Sequence, residues 1–412
     1  MANGFLSPKV FANAGLKFLK NNLVLAKLVD NEGVDKTFDP GSGTGLTVYV
    51  KRPPEFIVRD GRTASPQDVI EGEIAVNLDK QKGVDVQFTS VEETLNVNKL
   101  LKSRVLNSAM GQLATQIDLD LMDQTLEFPN WVGTPGNTLS SPTQFFAAPQ
   151  RLDELAIPAT DRYAVMTPGD GYGVAGSLLA NAAMSDNDIA TSALKKAKIP
   201  IIGNTEPYMS QTVRTLTTGT RNATGTVNGA SQNVTFLSVR SGYQQTLIVA
   251  GLGNAGTVKR GEIFTIAGVF ACNPRTKDTL PYLAQFVNLA DVTADGSGNA
   301  TLTIANPIIT SGAYQNVSAA PANGATITWR GTASTSYAQN TAFHATALKL
   351  VSAKMIMPYT GEASYATDPD TGLTIRYWRY SDGASDTHNH RFDVIYGVKN
   401  IDRRLGTRFS GA

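Results

Sequence analysis

The apolar and polar positions of this chain change rhythm several times. Near the N-terminus, "VFANAGLKFLKNNLVLAKLVD" (residues 10–30) spaces Phe11, Leu16, Leu19, Leu23 and Leu28 at helical intervals, with Gly15 as an interruption. One or two short helices are predicted there. From "GLTVYVKRPPEF" to "GEIAVNLDKQKGVDVQFTSV" the pattern alternates, which predicts strands joined by a long polar excursion near residues 55–75 with no core of its own. The strongest helical signal follows over residues 91–127, where Leu106, Met110, Leu113, Ile117 and Leu121 form one stripe without an internal proline. At ~1.5 Å per residue such a helix reaches roughly 50 Å, a length that suits a strut.

Beyond "FPNWVGTPGN" the pattern reads as α/β to about residue 212, with a strand "RYAVM", a helical stretch "GVAGSLLANAAMSDNDIATSALKKA" and a strand "KIPII". Charge density then falls. Between about 213 and 340 the short alternating segments "VTFLSV", "TLIVAG", "EIFTIAG", "ATLTIA" and "ATITWRG" are separated by turn signals such as "DGSGN" and "PANG". That spacing predicts a small inserted β-barrel or sandwich. The chain closes on mixed structure, "AFHATALKLVSAKM", and on two strands, "GLTIRYWRY" and "RFDVIYGV".

Composition narrows the function classes. A chain of 412 residues predicts two to three domains. Only 17% of residues are charged, so much of the polar surface is Thr, Ser, Asn and Gly. Thirty-six Lys and Arg against 35 Asp and Glu leave +1, which provides no global field for nucleic acid or an anionic membrane. The single cysteine, Cys272, excludes an intrachain disulfide and a Cys-based zinc cluster. No uninterrupted apolar signal core and no run of about 18 apolar residues is present, so a soluble, intracellularly made protein is expected.

Candidate chemistry is sparse. In "SDGASDTHNHRFDVIYG" (381–397), His388 and His390 would share a strand face, with Asp386 and Asp393 as possible oxygen ligands, yet the same residues suit a solvated turn. The third histidine, His344, belongs to another segment. Gly171, Gly173 and Gly176 match GxGxxG, but Thr167, Pro168 and Asp170 lengthen the turn and put a carboxylate where a pyrophosphate would meet backbone amides. Cys272 has no evident His partner and reads as a small buried residue. Lys51 with Arg52, Lys195 with Lys196 and Lys198, and Arg403 with Arg404 and Arg408 are short basic clusters. Solvated or salt-bridged faces are the ordinary reading of these, and phosphate contact the other. Trp131, Trp329 and Trp378 are scattered and read as core or interface anchors. No catalytic, cofactor-binding or metal residue is therefore assigned, and no enzyme or cofactor is expected.

Four stretches carry a family resemblance: "NNLVLAKLVD" with "GLTVYVKRPPEF", then "KRGEIFTIAGVFACNPRTKDTLPYLAQFVN", then "TAFHATALKLV", and last "GLTIRYWRY" with "RFDVIYGVKNIDRRLGTRFSG". In these the chain resembles the major capsid (coat) proteins of tailed bacteriophages, in the insertion-domain branch typified by the short-tailed Salmonella phages. The resemblance implies an α+β fold of the Hong Kong 97 type with an inserted all-β barrel. It divides the chain into an N-terminal arm (1–35), peripheral-domain strands with an extended loop (36–90), a spine helix (91–127) and an axial domain (128–212). The inserted barrel (213–340), an axial return (341–370) and peripheral C-terminal strands (371–412) complete it. The function implied is self-assembly into pentamers and hexamers of an icosahedral shell around double-stranded DNA, in the virion after assembly in the host cytoplasm. Scaffolding and portal proteins are the implied partners, DNA is touched non-specifically, and no membrane is involved. Arm and loop would gain burial on neighbouring copies. The inserted loop "TRNATGTVNGASQNV" has Arg221 and no acidic residue, so no contact between capsomers is assigned to it. A β-rich decoration or glycan-binding protein is the alternative.

Overall fold

The computed structural model describes residues 7–31, 47–64, 66–89, 91, 104–182 and 199–412. The chain forms two compact units. The first is drawn from Met1–Tyr49, Ala75–Met122 and Leu348–Lys399, and the second from Val50–Ile74, Asp123–Ala347 and Asn400–Ala412.

In the first unit, helix α1 (Pro8–Asn22) starts on a proline, whose missing N–H costs nothing at a helix start, and buries Phe11, Ala12, Gly15 and Leu19. Gly15 does not interrupt it. A Cβ at that position would lie 2.9 Å from the Phe392 ring, so the missing side chain is what lets the helix approach the neighbouring strand. A single 3₁₀ turn, Leu25–Lys27, follows. Helix α2 (Arg104–Thr125) carries the predicted stripe, and Leu106, Met110, Leu113, Ile117 and Leu121 are all buried. It is 22 residues long, about 33 Å, and residues 92–103 of the expected span lie outside the described residues. A sheet runs in the order Leu348–Ala353, Thr387–Asn400, Thr374–Asp382, Glu362–Thr367. Lys80–Thr89 adds to it antiparallel, in register from Thr387↔Thr89 to Tyr396↔Lys80.

The second unit holds a five-stranded mixed sheet in the order Asn130–Val132, Gly406–Phe409, Asn340–His344, Arg162–Met166, Thr205–Met209. "RYAVM" forms its strand as predicted, but "KIPII" does not. Pro200 lacks the N–H that a ladder needs. The pairing strand starts only after a turn at Gly203 and Asn204, both with positive φ.

This unit also holds a closed six-stranded barrel: β1 (Thr224–Val227), β2 (Gln244–Ala250), β3 (Ile263–Cys272), β4 (Thr279–Asn288), β5 (Ala300–Ala305) and β6 (Thr326–Trp329). The strands follow the order β3-β4-β5-β2-β1-β6 and close β6 onto β3, so no edge is left unpaired. Alternation along each strand fills the interior, where Phe264 lies 5.8 Å from Phe286 and 5.0 Å from Trp329, ring centre to ring centre. "VTFLSV" is the exception to the predicted strands. It forms a helical turn (Phe236–Val239) closed by Ser238 onto the Thr235 carbonyl, and Phe236 stacks face to face on Tyr314. The barrel seats on the mixed sheet through Gln285, whose amide both accepts from Trp131 N (2.5 Å) and donates to Trp131 O (3.2 Å).

Arg221 is no surface charge. Its guanidinium meets Glu262 at 2.5 Å with both side chains wholly buried, and it lies 4.3 Å above the Trp329 ring. The other Glu262 oxygen accepts from Gly219 N and Lys259 N, both at 2.7 Å. With these bonds made the buried pair is tolerated, and removing one partner would strand the other.

Candidate functional site

The hairpin that carries the histidines has longer strands and a shorter turn than the sequence suggests. Pairing runs from Ile375↔Val394 to Asp382↔Thr387, which leaves residues 383–386 as the turn. Asp382 closes it by accepting from Ala384 N (3.0 Å) and Ser385 Oγ (2.9 Å), and Asp386 adopts a left-handed φ of 48°. His388 and His390 are strand residues, not loop residues. His390 is buried among Phe11, Phe88 and Tyr377, with its Nδ1 2.6 Å from the Tyr377 hydroxyl. His388 is half-buried, 2.7 Å from Ser381 Oγ. Asp393, an odd number of residues away, falls on the opposite strand face, where Arg376 (2.6 Å) and Arg391 (2.8 Å) hold it. The carboxylate and the imidazoles are therefore not convergent. Among the described residues no group of three or more His, Cys, Asp or Glu side chains is arranged to hold a metal ion.

The glycine-rich stretch lies inside helix α3 (Pro168–Ala182) rather than in a phosphate loop. Asp170 occupies the start of that helix. Its carboxylate accepts from Leu139 N (2.7 Å), Thr167 Oγ1 (2.6 Å) and Asn340 Nδ2 (2.7 Å), and Thr167 Oγ1 accepts in turn from Asp170 N. That reciprocal cap uses the site a pyrophosphate would need. A Cβ on Gly171 would collide with Met209, and one on Gly173 with the Leu139 carbonyl. These two glycines serve close packing.

Cys272 is buried at the end of β3, and burial pushes its thiol up from the ordinary value. Such a thiol is a poor nucleophile at neutral pH. The basic clusters divide sharply. Lys51 is exposed and pairs with Glu71 at 2.6 Å. Arg52 is buried, donates to the Arg240 carbonyl (2.8 Å) and lies 4.7 Å above the Tyr243 ring. Arg403 is consumed by Glu127 (2.7 Å) and Arg404 by Glu55 (2.5 Å) and Asp402 (2.8 Å). Arg408 is fully buried, donating to Phe128 O and Gln339 Oε1, and loss of solvent pushes its pKa down to about 9. These arginines cement the interior and are not available to phosphate. Lys195, Lys196 and Lys198 lie outside the described residues.

Among the described residues, two groups of exposed apolar side chains remain to be placed. The excursion leaves the strand ending at Arg52 and returns at Gly72, and residues 56–64 and 66–69 are exposed throughout. Phe56, Ile57, Val58 and Val69 stand in solvent. The strands at its root, Thr47–Arg52 and Gly72–Asn77, pair as a two-stranded sheet, but no strand is formed among the described residues of 53–71. Beyond that ladder Gln67 ties the legs, accepting from Ile57 N (2.9 Å) and donating to Ile57 O (2.5 Å). Further out, Arg59 donates to Thr63 O (3.0 Å) and to Gly61 O. In the first unit a second exposed apolar strip, Ile356, Met357 and Tyr359, is tied down by Arg376 to Ile356 O (2.7 Å) and by Trp378 to Thr360 O (2.8 Å). The sequence shows this strip only as "MIMPYTG", apolar but without a period. Apolar side chains held in solvent by polar tethers are the signature of contact surfaces.

Comparison with known proteins gives the same direction. The family model described as "P22 coat protein - gene protein 5" matches residues 10–411. A curated "Major capsid protein" of Acyrthosiphon pisum secondary endosymbiont phage 1 is 22% identical over 408 residues, covering 95% of this chain and 94% of the relative. Among solved structures, one of Mycobacterium phage Che8 covers 95% of this chain and 92% of its own at 14% identity, with a TM-score of 0.47. The CUS-3 coat protein I-domain covers 26% of this chain and 94% of its own at 30% identity, with a TM-score of 0.20.

Proposed function

The chain belongs to the P22 coat protein family, and we propose on that premise that residues 53–71 are the extended loop through which one copy holds its neighbour in an icosahedral shell. It is a phage major capsid protein of the α+β, Hong Kong 97-type fold with an inserted closed barrel. Copies join as pentamers and hexamers around double-stranded DNA, with a scaffolding protein guiding assembly in the host cytoplasm and a portal at one vertex. Residues 1–35 serve as the arm, 36–90 as peripheral strands with the loop, and 91–127 as the spine. Residues 128–212 and 341–370 make the axial domain, 213–340 the insertion and 371–412 the closing peripheral strands.

The observation that carries this reading is the run of exposed apolar side chains on an excursion without a core. Such a segment gains its burial from a partner, and the repeated partner of a shell protein is another copy. A balance of +1 and arginines spent on internal carboxylates mean that the shell meets DNA through scattered local contacts, weak and salt-sensitive.

The test is electron microscopy of the chain expressed with its neighbouring genes. Closed icosahedral particles are expected. Monomers that persist with no shell under either expression condition, alone or with those genes, would overturn the reading.

A further inference from the structure

We infer that Tyr314, on the loop between β5 and β6, is a latch that sets the direction of the excursion before assembly. Its hydroxyl accepts from Glu55 N on the outgoing leg (3.0 Å) and donates to Ile70 O on the returning leg (3.2 Å), so one phenol closes both legs. The ring is itself fixed against Phe236, with centroids 3.4 Å apart and planes 6° from parallel.

Three further contacts converge on the same point. Lys277 reaches the Glu55 carboxylate (3.7 Å) and the carbonyl of Ala313 (2.5 Å), the residue before the latch. Arg404 holds the other Glu55 oxygen at 2.5 Å. Arg52 donates to Arg240 O (2.8 Å), and a Cβ on Gly72 would lie 2.6 Å from that carbonyl, so only glycine lets the returning leg close here. The anchors Tyr314, Phe236, Arg240 and Lys277 all belong to residues 213–340. The insertion therefore provides the fixed end of an arm whose free end has no core. Fixing it in advance reduces the ordering entropy lost when the arm meets its partner, which favours correct association. This inference rests on the reading of 53–71 as the loop that lies on a neighbouring copy.

The experiment compares Tyr314→Phe, which keeps the ring stack and loses the hydroxyl, with Val58→Asp near the loop tip. In the unassembled full chain, hydrogen exchange of the Glu55 amide should quicken about fivefold in Tyr314→Phe, the factor that one hydrogen bond of ordinary net strength carries. The barrel's melting transition should stay at the wild-type temperature. In assembly, both variants should form closed shells more slowly and with more aberrant particles. Unchanged Glu55 exchange overturns the latch. Faster exchange with wild-type assembly, while Val58→Asp blocks shells, leaves the loop reading standing and overturns its control by Tyr314. Wild-type assembly by both variants overturns the loop reading itself and the inference with it.

Discussion

Two segments that the sequence presents as outlying, the N-terminal stretch 8–31 and the excursion 53–71, are built on opposite principles. The first is anchored along its length on the first unit. Phe11 stacks on Tyr377 at 5.2 Å, Leu19, Leu23 and Leu25 are buried, and Lys20 and Asp30 pair with Asp368 (2.9 Å) and Lys349 (2.7 Å). Asp118, buried on α2, accepts from the backbone N–H groups of Val24 (2.8 Å) and Ala26 (3.0 Å) and so holds the 3₁₀ turn in place. The excursion is anchored at its root and exposed beyond it. An arm that needs neighbours for its burial was the expectation for both, and 8–31 departs from it because helical periodicity gives it an apolar face to lay on its own chain. The difference is one of period: the segment with a repeating apolar face lays it on its own chain, and the one whose apolar residues have no period leaves them exposed.

The largest effect should come from breaking the first segment's anchor. Phe11→Ala removes a buried ring from an aromatic cluster and should cost about 3–5 kcal/mol of stability, read by chemical denaturation of the unassembled chain. A loss below about 1 kcal/mol would show that the stretch is not part of the folded unit.

Asp118 sharpens the same point through pH. Burial raises its pKa from 3.8 to about 6 against the pull of the Val24 and Ala26 amides. Because the folded pKa lies above the unfolded one, the folded state binds this proton first, and the residue's contribution grows as pH falls from 7 through 6 toward 4. The full effect is about 3 kcal/mol at 1.36 kcal/mol per pH unit. The stability of the wild type relative to Asp118→Asn should thus rise over that interval, and a difference that stays flat from pH 7 to pH 4 would remove Asp118 from the account. Taking the difference cancels the carboxylates whose pKa is lowered, such as Glu127 beside Arg403 and Arg260, which act in the opposite sense.

Much of the architecture was legible because it rests on periods. The stripe Leu106 to Leu121 needed only its spacing, and the strands in "TLIVAG", "EIFTIAG", "ATLTIA" and "ATITWRG" only their alternation and turn signals. What escaped depends on partners distant in sequence. "VTFLSV" alternates like a strand but forms a helical turn whose Phe236 packs on the distant Tyr314 ring. Gly15 looks like a helix breaker until Phe392 occupies the space beside it. Arg403, Arg404 and Arg408 look like a surface patch because nothing local reveals Glu127, Glu55 or the buried Phe128 carbonyl. "KIPII" departs for a local reason, since its own proline argues against a paired strand.

The smallest effect on folding should come from the excursion, and it is the one that breaks the comparison if it fails. Phe56 is more than half exposed, so Phe56→Ser removes little burial and should change the stability of the unassembled chain by less than about 0.5 kcal/mol. On the proposed reading the ring is buried by another copy, so the yield of closed shells should fall while the denaturation midpoint holds. A midpoint that drops as far as it does for Phe11→Ala would place Phe56 in the folded core and make the two segments alike. An unchanged midpoint with undiminished shells would take Phe56 out of the contact and leave Ile57, Val58 and Val69 to carry it.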